Sequence, residues 1–210
     1  MAQDYEEFAR FIGENKGQRK FKQSVELAIN FKALDFSRQD NRLNLEVLLP
    51  NGKGKVRKIG IFASDKSLIA EAEKNGIEVI RDTEIPSTAS DSAKMSNLLN
   101  YELVAQPNLM PVIAKSMGQF LGPRNRMPKP LLGNVNISNL VNELNRRIVL
   151  RSKGKYLPTI HCVVGTEDME PVKLDANIKE VIGAITRKVG QNHIKSVYVK
   201  LTMSKPLRLM

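Results

Sequence analysis

"VRKIGIFASDKSLIAEAEKNGIEVIRD", Val56–Asp82, is the stretch on which the fold class turns. "VRKIGIFA" has apolar residues on both faces of an extended chain, the pattern of a strand covered from two sides. Ser64 or Asp65 can then cap a helix, and Gly76 stops it. "IEVIRD" returns to a strand. The alternation continues downstream with a weaker helix around Ala93–Asn100 and a third strand, "YELVAQ". Leu109, Met110, Ile113, Met117, Phe120 and Leu121 then fall on one helical face, and a last helix from about Ser138 carries Leu140, Leu144 and Ile148. Short apolar strands alternating with helices predict a parallel α/β unit.

On either side of this middle the texture changes. Residues 2–13 read as a partly amphipathic helix, followed by the basic segment "NKGQRKFKQ". Val25, Leu27, Ile29 and Phe31 alternate with polar or small residues, and Leu43, Leu45, Val47 and Leu49 do the same. Period two predicts half-buried strands. "PNGKGK" is a Gly-rich turn. After about Val149, "IVLRSKGKYLPTIHCVVG" reads as two strands around a basic loop. Asp175 can cap a helix with Ile178, Val181, Ile182, Ile185 and Val189 on one face, ended by Gly190. "IKSVYVKLTM" is the final strand. There is no internal repeat and no low-complexity tract.

The 210 residues carry a formal net charge of +11. Such an excess concerns partners rather than fold, and points to a polyanion: nucleic acid ahead of an anionic membrane surface. Residues 57–151 hold 13 basic and 9 acidic residues; the flanks hold 20 and 13, so the flanks are the more basic part. The single cysteine, Cys162, excludes an intrachain disulfide and reads as a small buried hydrophobe in a reducing compartment. The acidic, polar N-terminus has no signal-peptide pattern, and no apolar run approaches the roughly 20 residues of a membrane span.

Motifs for chemistry are scarce. "PNGKGKVRK" lacks both G-x-x-x-x-G-K-[ST] and G-x-G-x-x-G, so it reads as a turn or hinge that can touch RNA backbone through Lys53, Lys55, Arg57 and Lys58. His161 and His193 are the only histidines, without metal-ligand spacing around them. No nucleophile motif appears. In "GQFLGPRNRMPKP", Gly118–Pro130, Gly122-Pro123 reads as a helix stop with a left-handed glycine cap, and "RNRMPKP" as a rigid basic loop. A proline-rich docking peptide would need a longer PPII segment. A nucleotide-dependent enzyme on the α/β middle is the alternative reading from another class.

Three of these segments together resemble the universal large-subunit ribosomal protein L-one family, in its archaeal form. They are "LGPRNRMP" (Leu121–Pro128), "SVYVKLTMS" (Ser196–Ser204) and "KFKQSVELAINF" (Lys20–Phe31). The resemblance runs along nearly the whole chain. It implies a two-domain α/β architecture: a split βαβ (ferredoxin-like) α+β domain from residues 1–56 and 152–210, and an inserted Rossmann-like α/β domain at 57–151, joined by hinges near Val56 and Ser152. It implies no enzymatic activity and no cofactor, metal or dinucleotide.

The resemblance also implies partners: large-subunit rRNA at the mobile side stalk, deacylated tRNA leaving the exit site, and the chain's own mRNA leader, which it would repress. The setting would be the cytoplasmic ribosome, with no membrane and a monomer when free. Matching motif positions carry over Phe21, Ser24 and Glu26 from the first strand and Ser196, Thr202, Met203 and Ser204 from the last, with Lys20 and Lys22 supplying charge. An aromatic ring and a Met can pack on sugar and base faces, while hydroxyls read 2′-OH and phosphate groups. Glu26 can accept from a 2′-OH or amine, or simply partner a neighbouring Lys. Lys53, Lys55, Arg124, Arg126 and His161 are expected as secondary RNA or hinge contacts. Ser204 departs from the family's frequent Gly, which matters if the position needs positive φ or close backbone approach.

Overall fold

The computed structural model describes residues 2–131, 136–152 and 157–210, with side chains from Tyr5 onward. The basic loop expected around Lys153–Tyr156 lies outside the described residues. The chain forms two compact units, Met1–Lys55 with Asn145–Met210, and Val56–Leu144. Before the insertion the outer unit supplies α1 (Ala2–Asn15), β1 (Ser24–Phe31) and β2 (Asn44–Leu48). The insertion contributes β3 (Lys58–Ala63), α2 (Lys66–Lys74), β4 (Glu78–Arg81), α3 (Ile85–Ser90), α4 (Ser92–Leu98), β5 (Tyr101–Ala105), α5 (Met110–Leu121), β6 (Lys129–Pro130) and most of α6 (Ile137–Arg146). The chain then returns through β7 (Arg147–Arg151), β8 (Thr159–Thr166), α7 (Pro171–Val189), β9 (Ile194–Leu201) and β10 (Leu207–Arg208).

The inserted unit is a four-stranded parallel sheet in the order β4-β3-β5-β6. Its strands are apolar on both faces because both faces are covered. Phe62, Leu103 and Ala105 pack with residues of α3, α4 and α5 such as Ile85, Leu98 and Ile113. Ile59, Ile61 and Val104 pack with Ala72 of α2 and with Ile137, Leu140 and Leu144 of α6. Asp65 caps α2, its carboxylate accepting from Ser67 N at 3.0 Å. The helix expected around Ala93–Asn100 is α4, which Asp91 caps by accepting from Ala93 N and Lys94 N; the short α3 before it has no counterpart in the sequence reading.

In the outer unit the sheet order is β10-β9-β1-β8, antiparallel throughout. Both β8 and β9 pair with β1, so they run parallel with β1 between them. The β8-α7-β9 segment is therefore a split βαβ unit. Val25, Leu27, Ile29 and Phe31 of β1 are buried against Phe8 and Ile12 of α1 and Leu174, Ile178, Val181 and Ile185 of α7. Each such side chain contributes about 1.5–3 kcal/mol on burial, so four on one strand outweigh any single hydrogen bond in fixing its register.

Element boundaries differ from the sequence reading in the second half of the chain, and Ile148, expected on the last helix of the insertion, lies on β7. The outer unit resumes at Asn145, before the Ser152 boundary, because β7 pairs with β2 and sends Ile148 and Leu150 into the outer core. Helix α7 starts at Pro171, so Asp175 is not its cap; it lies one turn inside, 2.6 Å from Lys179. Proline at the first turn suits the helix start, since its missing N–H would have had no partner there.

Asn177 is a polar residue completely buried on α7. Its Nδ2 donates to Gly52 O (2.9 Å) and Val164 O (2.7 Å), and its Oδ1 accepts from Asn51 N (3.0 Å). One amide thus fastens the turn after β2 and the strand β8 to the same helix. Replacing it with an apolar residue strands two carbonyls and one N–H. Asn177→Leu is expected to lower stability by about 2–4 kcal/mol, read from urea unfolding of the whole chain.

In the inserted unit Tyr101 donates from its hydroxyl to the Glu78 carboxylate at 2.5 Å. That hydrogen bond is the main reason its ionisation is raised above the ordinary tyrosine value of 10.0. A raised folded-state value means that the contribution is complete below pH 10 and is lost as the phenol ionises above it. The stability gap between wild type and Tyr101→Phe should therefore close as pH rises past about 10, as thermal melts across that range would read.

Candidate nucleic-acid interface

One end of the outer sheet brings together the start of β1, the end of β8 and the turn after β9. Thr202 N donates to Ser24 O at 3.1 Å, and Ser24 N donates to Thr202 Oγ1 at 3.1 Å. Met203 N donates to Gln23 Oε1 at 3.1 Å. Gln23 N and Nε2 both donate to the Glu167 carboxylate, at 3.1 and 3.0 Å, and Gly17 N adds a third bond at 3.3 Å. Glu167 N donates back to Gln23 O at 3.0 Å. Gln23 and Glu167 are 2% and 5% exposed. A buried carboxylate is tolerated only when its oxygens are satisfied, and these are.

On this frame stand two exposed apolar side chains, Phe21 (49%) and Met203 (57%). Neither belongs to the hydrophobic core of the described residues. Lys16, Arg19, Lys20 and Lys22 are exposed in the loop after α1. Lys22 Nζ lies 2.5 Å from Asp168 Oδ2. Hydrogen bonding from Lys22, ahead of the charges of Lys22 and Lys16, holds the Asp168 carboxyl below its usual range. Of the two lysines expected to supply charge, Lys22 is thus partly neutralised by a neighbour.

Thr202 and Met203 are not on a strand: β9 ends at Leu201, and they form the turn that follows. Ser204 makes this turn. Its Oγ accepts from Leu201 N at 2.9 Å and its N donates to Leu201 O at 3.2 Å. Ser204 has no positive φ. A glycine there is not required by the backbone, and the hydroxyl closes the turn instead.

Other expected residues lie elsewhere. Ser196 is buried near the far end of β9, roughly 20 Å from Thr202 at strand rise, and accepts from Asn30 Nδ2 at 2.9 Å. Glu26 sits on the sheet face away from the helices, in register with Lys200. His161 is exposed on that face, opposite Ala28. Cys162 has its thiol pushed up to about 12 by burial, so it is not a thiolate at neutral pH.

Lys53 and Lys55 flank Gly54, which has φ +70° and lies against Thr166 and Met169. A Cβ at 54 would collide with Thr166 Oγ1, so the loop reaches the end of β8 only because residue 54 is glycine.

In the inserted unit, Arg124 is turned back on its own helix. Its guanidinium lies 4.0 Å over the Phe120 ring, and its Nη1 donates to Phe120 O at 2.9 Å. Gly122 is not the left-handed cap; its φ is −59°, and the left-handed residue is Asn125 at 54°. Gly122 is needed for space instead, since a Cβ would press on Gly118 O. Arg126 follows in the same turn, its N–H donating to Leu121 O at 3.0 Å. Pro128 is buried, and Lys129-Pro130 pairs with β5 as β6, which leaves no extended proline segment for docking. Arg57 lies 3.8 Å from Glu102, and Lys58 begins β3.

A parallel sheet of this kind offers ligands a crevice beyond its strand ends, at the N-termini of following helices. Here Gln106 Oε1 accepts from Ser64 N at 2.6 Å, Ser64 Oγ at 3.0 Å and Asp65 N at 3.3 Å. The donors that a phosphate would use are engaged by the chain's own amide. Among the described residues no group of three His, Cys, Asp or Glu could hold a metal, and no helix is long and apolar enough to cross a membrane.

Sequence reasoning missed Gln23, Glu167 and Asp168. Glu167 and Asp168 follow an apolar strand, where acids ordinarily mean solvent, and nothing in the spacing of Gln23 and Glu167 signals that they meet. The units also differ in charge more than the flanks and middle did. The outer unit holds 23 basic and 13 acidic residues, the inserted unit 10 and 9.

Residues 12–205 match the model of the ribosomal protein L1p/L10e family. Among curated proteins, the large ribosomal subunit protein uL1 of Methanothermobacter thermautotrophicus is 39% identical, with all of both chains covered. Those of Methanothermococcus thermolithotrophicus and Thermoplasma acidophilum are 38% and 39% identical, covering 91% and 94% of this chain and 90% and 92% of their own. The chain belongs to the ribosomal protein L1p/L10e family, in its archaeal form.

Proposed function

We propose that the chain is a non-enzymatic constituent of the large ribosomal subunit in the cytoplasm, and that its outer unit docks on large-subunit rRNA at the mobile side stalk. The observation that carries this is the end of the outer sheet. Exposed Phe21 and Met203 are held there by a buried hydrogen-bonded frame, beside a basic loop, in the unit that has nearly all the excess charge. Exposed apolar groups fixed on a rigid frame suit stacking on unpaired bases and sugars, while the lysines contribute sequence-independent attraction. The relatives' names as large-subunit proteins support the assembly.

In this reading Thr202, Ser24 and Ser204 act first as scaffold, because their polar groups are already hydrogen-bonded within the chain. Lys20 is the cleaner phosphate contact, since Lys22 is paired. Ser196 is a structural member of the strand, and Glu26, His161, Lys53 and Lys55 are secondary contacts. Arg124 and Arg126 shape the end of α5. Docking on the stalk assists release of deacylated tRNA from the exit site. The same surface, binding an rRNA-like element in the chain's own mRNA leader, represses its translation. The free protein is a monomer.

The test is gel-shift binding to a stalk fragment of rRNA, to the leader and to an unrelated hairpin of equal length, over a salt series. A preference for the first two that survives rising salt is expected; equal binding to all three that collapses with salt would sink the reading. Phe21→Ala and Met203→Ala should each weaken stalk-RNA binding by about 1–3 kcal/mol while leaving the thermal midpoint nearly unchanged, because both side chains are exposed in the free protein.

A further inference from the structure

The acid beside the basic loop is the feature that the function above does not use. Segments 15–25, 51–55 and 200–206 meet or lie next to one another at this end of the sheet, and none contains an acidic residue. Glu14, which lies 4.0 Å from Arg10, and Glu26, in register with Lys200, border the first segment, and the end of β8 brings in two more acids. Glu167 is buried and structural. Asp168 is exposed, and it faces the loop. Backbone pairing places it: Ser24 is in register with Thr166, Glu167 N bonds Gln23 O, and the next residues on each side are Lys22 and Asp168. An exposed ion pair of this sort adds little to stability. Its effect is on the field that an incoming RNA meets.

We infer that Asp168 is a specificity-determining residue of the proposed interface: it holds Lys22 in an ion pair and releases it only to an RNA that offers a hydrogen-bond donor in exchange. This rests on the RNA reading above. A phosphate approaching Lys22 alone meets a carboxylate 2.5 Å from the ammonium group and gains little. An RNA that presents a 2′-OH or an exocyclic amine to Asp168 satisfies the carboxylate and frees Lys22 for a neighbouring phosphate. Generic backbone is thereby penalised, and a folded element with the right groups is not; like-charge repulsion of this kind is a common route to discrimination.

The experiment compares wild type, Asp168→Asn, Lys22→Met and the double variant in binding the stalk fragment and the unrelated hairpin over a salt series. Asn keeps the shape and removes the charge. Asp168→Asn should tighten hairpin binding and steepen its salt slope by about 0.7–0.9, the contribution of one further phosphate contact. Its preference for the stalk fragment should fall severalfold. Lys22→Met alone bares the Asp168 carboxylate and should weaken hairpin binding, and in the Asp168→Asn background it should cancel the gain. If Asp168→Asn leaves the preference unchanged, or shifts both RNAs equally, the inference is overturned. Wild type that binds both RNAs equally overturns the RNA reading itself, and Asp168's role falls with it.

Discussion

A single buried carboxylate sets the geometry of the proposed interface. Glu167 takes hydrogen bonds from Gly17, from the backbone of Gln23 and from its side chain, and Gln23 in turn accepts from Met203 N. Through two side chains, the end of α1, the start of β1, the end of β8 and the turn after β9 acquire fixed positions. In a low-dielectric setting such a network is stiff, because losing any one bond exposes the full desolvation cost of its partner. Phe21 leaves the basic loop two residues before Gln23, and Met203 leaves the turn whose amide Gln23 holds. Their exposure is therefore a property of the frame and not of loose loops.

The two units divide labour electrically. The inserted unit is a nearly neutral α/β layer whose strand-end crevice is occupied by Gln106. The outer unit has a net charge of about +10 by residue count. The overall +11 understates the contrast, since it averages a neutral body with a strongly basic one. Long-range steering of a polyanion follows the local field, so approach favours the outer unit before any contact forms.

Periodicity made most of the fold legible. The two-sided apolar strand Lys58–Ala63 and the alternation of strands and helices after it announced a parallel α/β unit, and the period-two pattern of Val25–Phe31 announced a half-buried strand. Capping signals worked where a side chain does the capping, as at Asp65, and failed where proline geometry starts the helix, as at Pro171. Gly122 misled because glycine serves two purposes, freedom in φ and absence of a Cβ, and here the second applies. The exposed half of the candidate site, Phe21 and Met203, was legible through resemblance and unusual residue type. The buried half was not. Gln23 and Glu167 are distant in sequence, and polar residues give no periodic signal of meeting in three dimensions.

The central place of β1 has a consequence for how the chain comes off the ribosome that makes it. β1 is synthesised early, yet both strands that flank it are encoded after the insertion. The inserted unit pairs only its own strands and can close as soon as its last helix emerges. The outer sheet must wait for β8 and β9, and the bond between Ser24 and Thr202 spans nearly the whole chain. A collapsed insert shortens that span and cuts its loop-closure entropy. Until β8 arrives β1 has two unpaired edges, until α7 arrives its apolar face is covered by α1 alone, and until β9 arrives one edge stays open. The candidate interface is thus the last part of the molecule to exist, and a truncated nascent chain cannot display it.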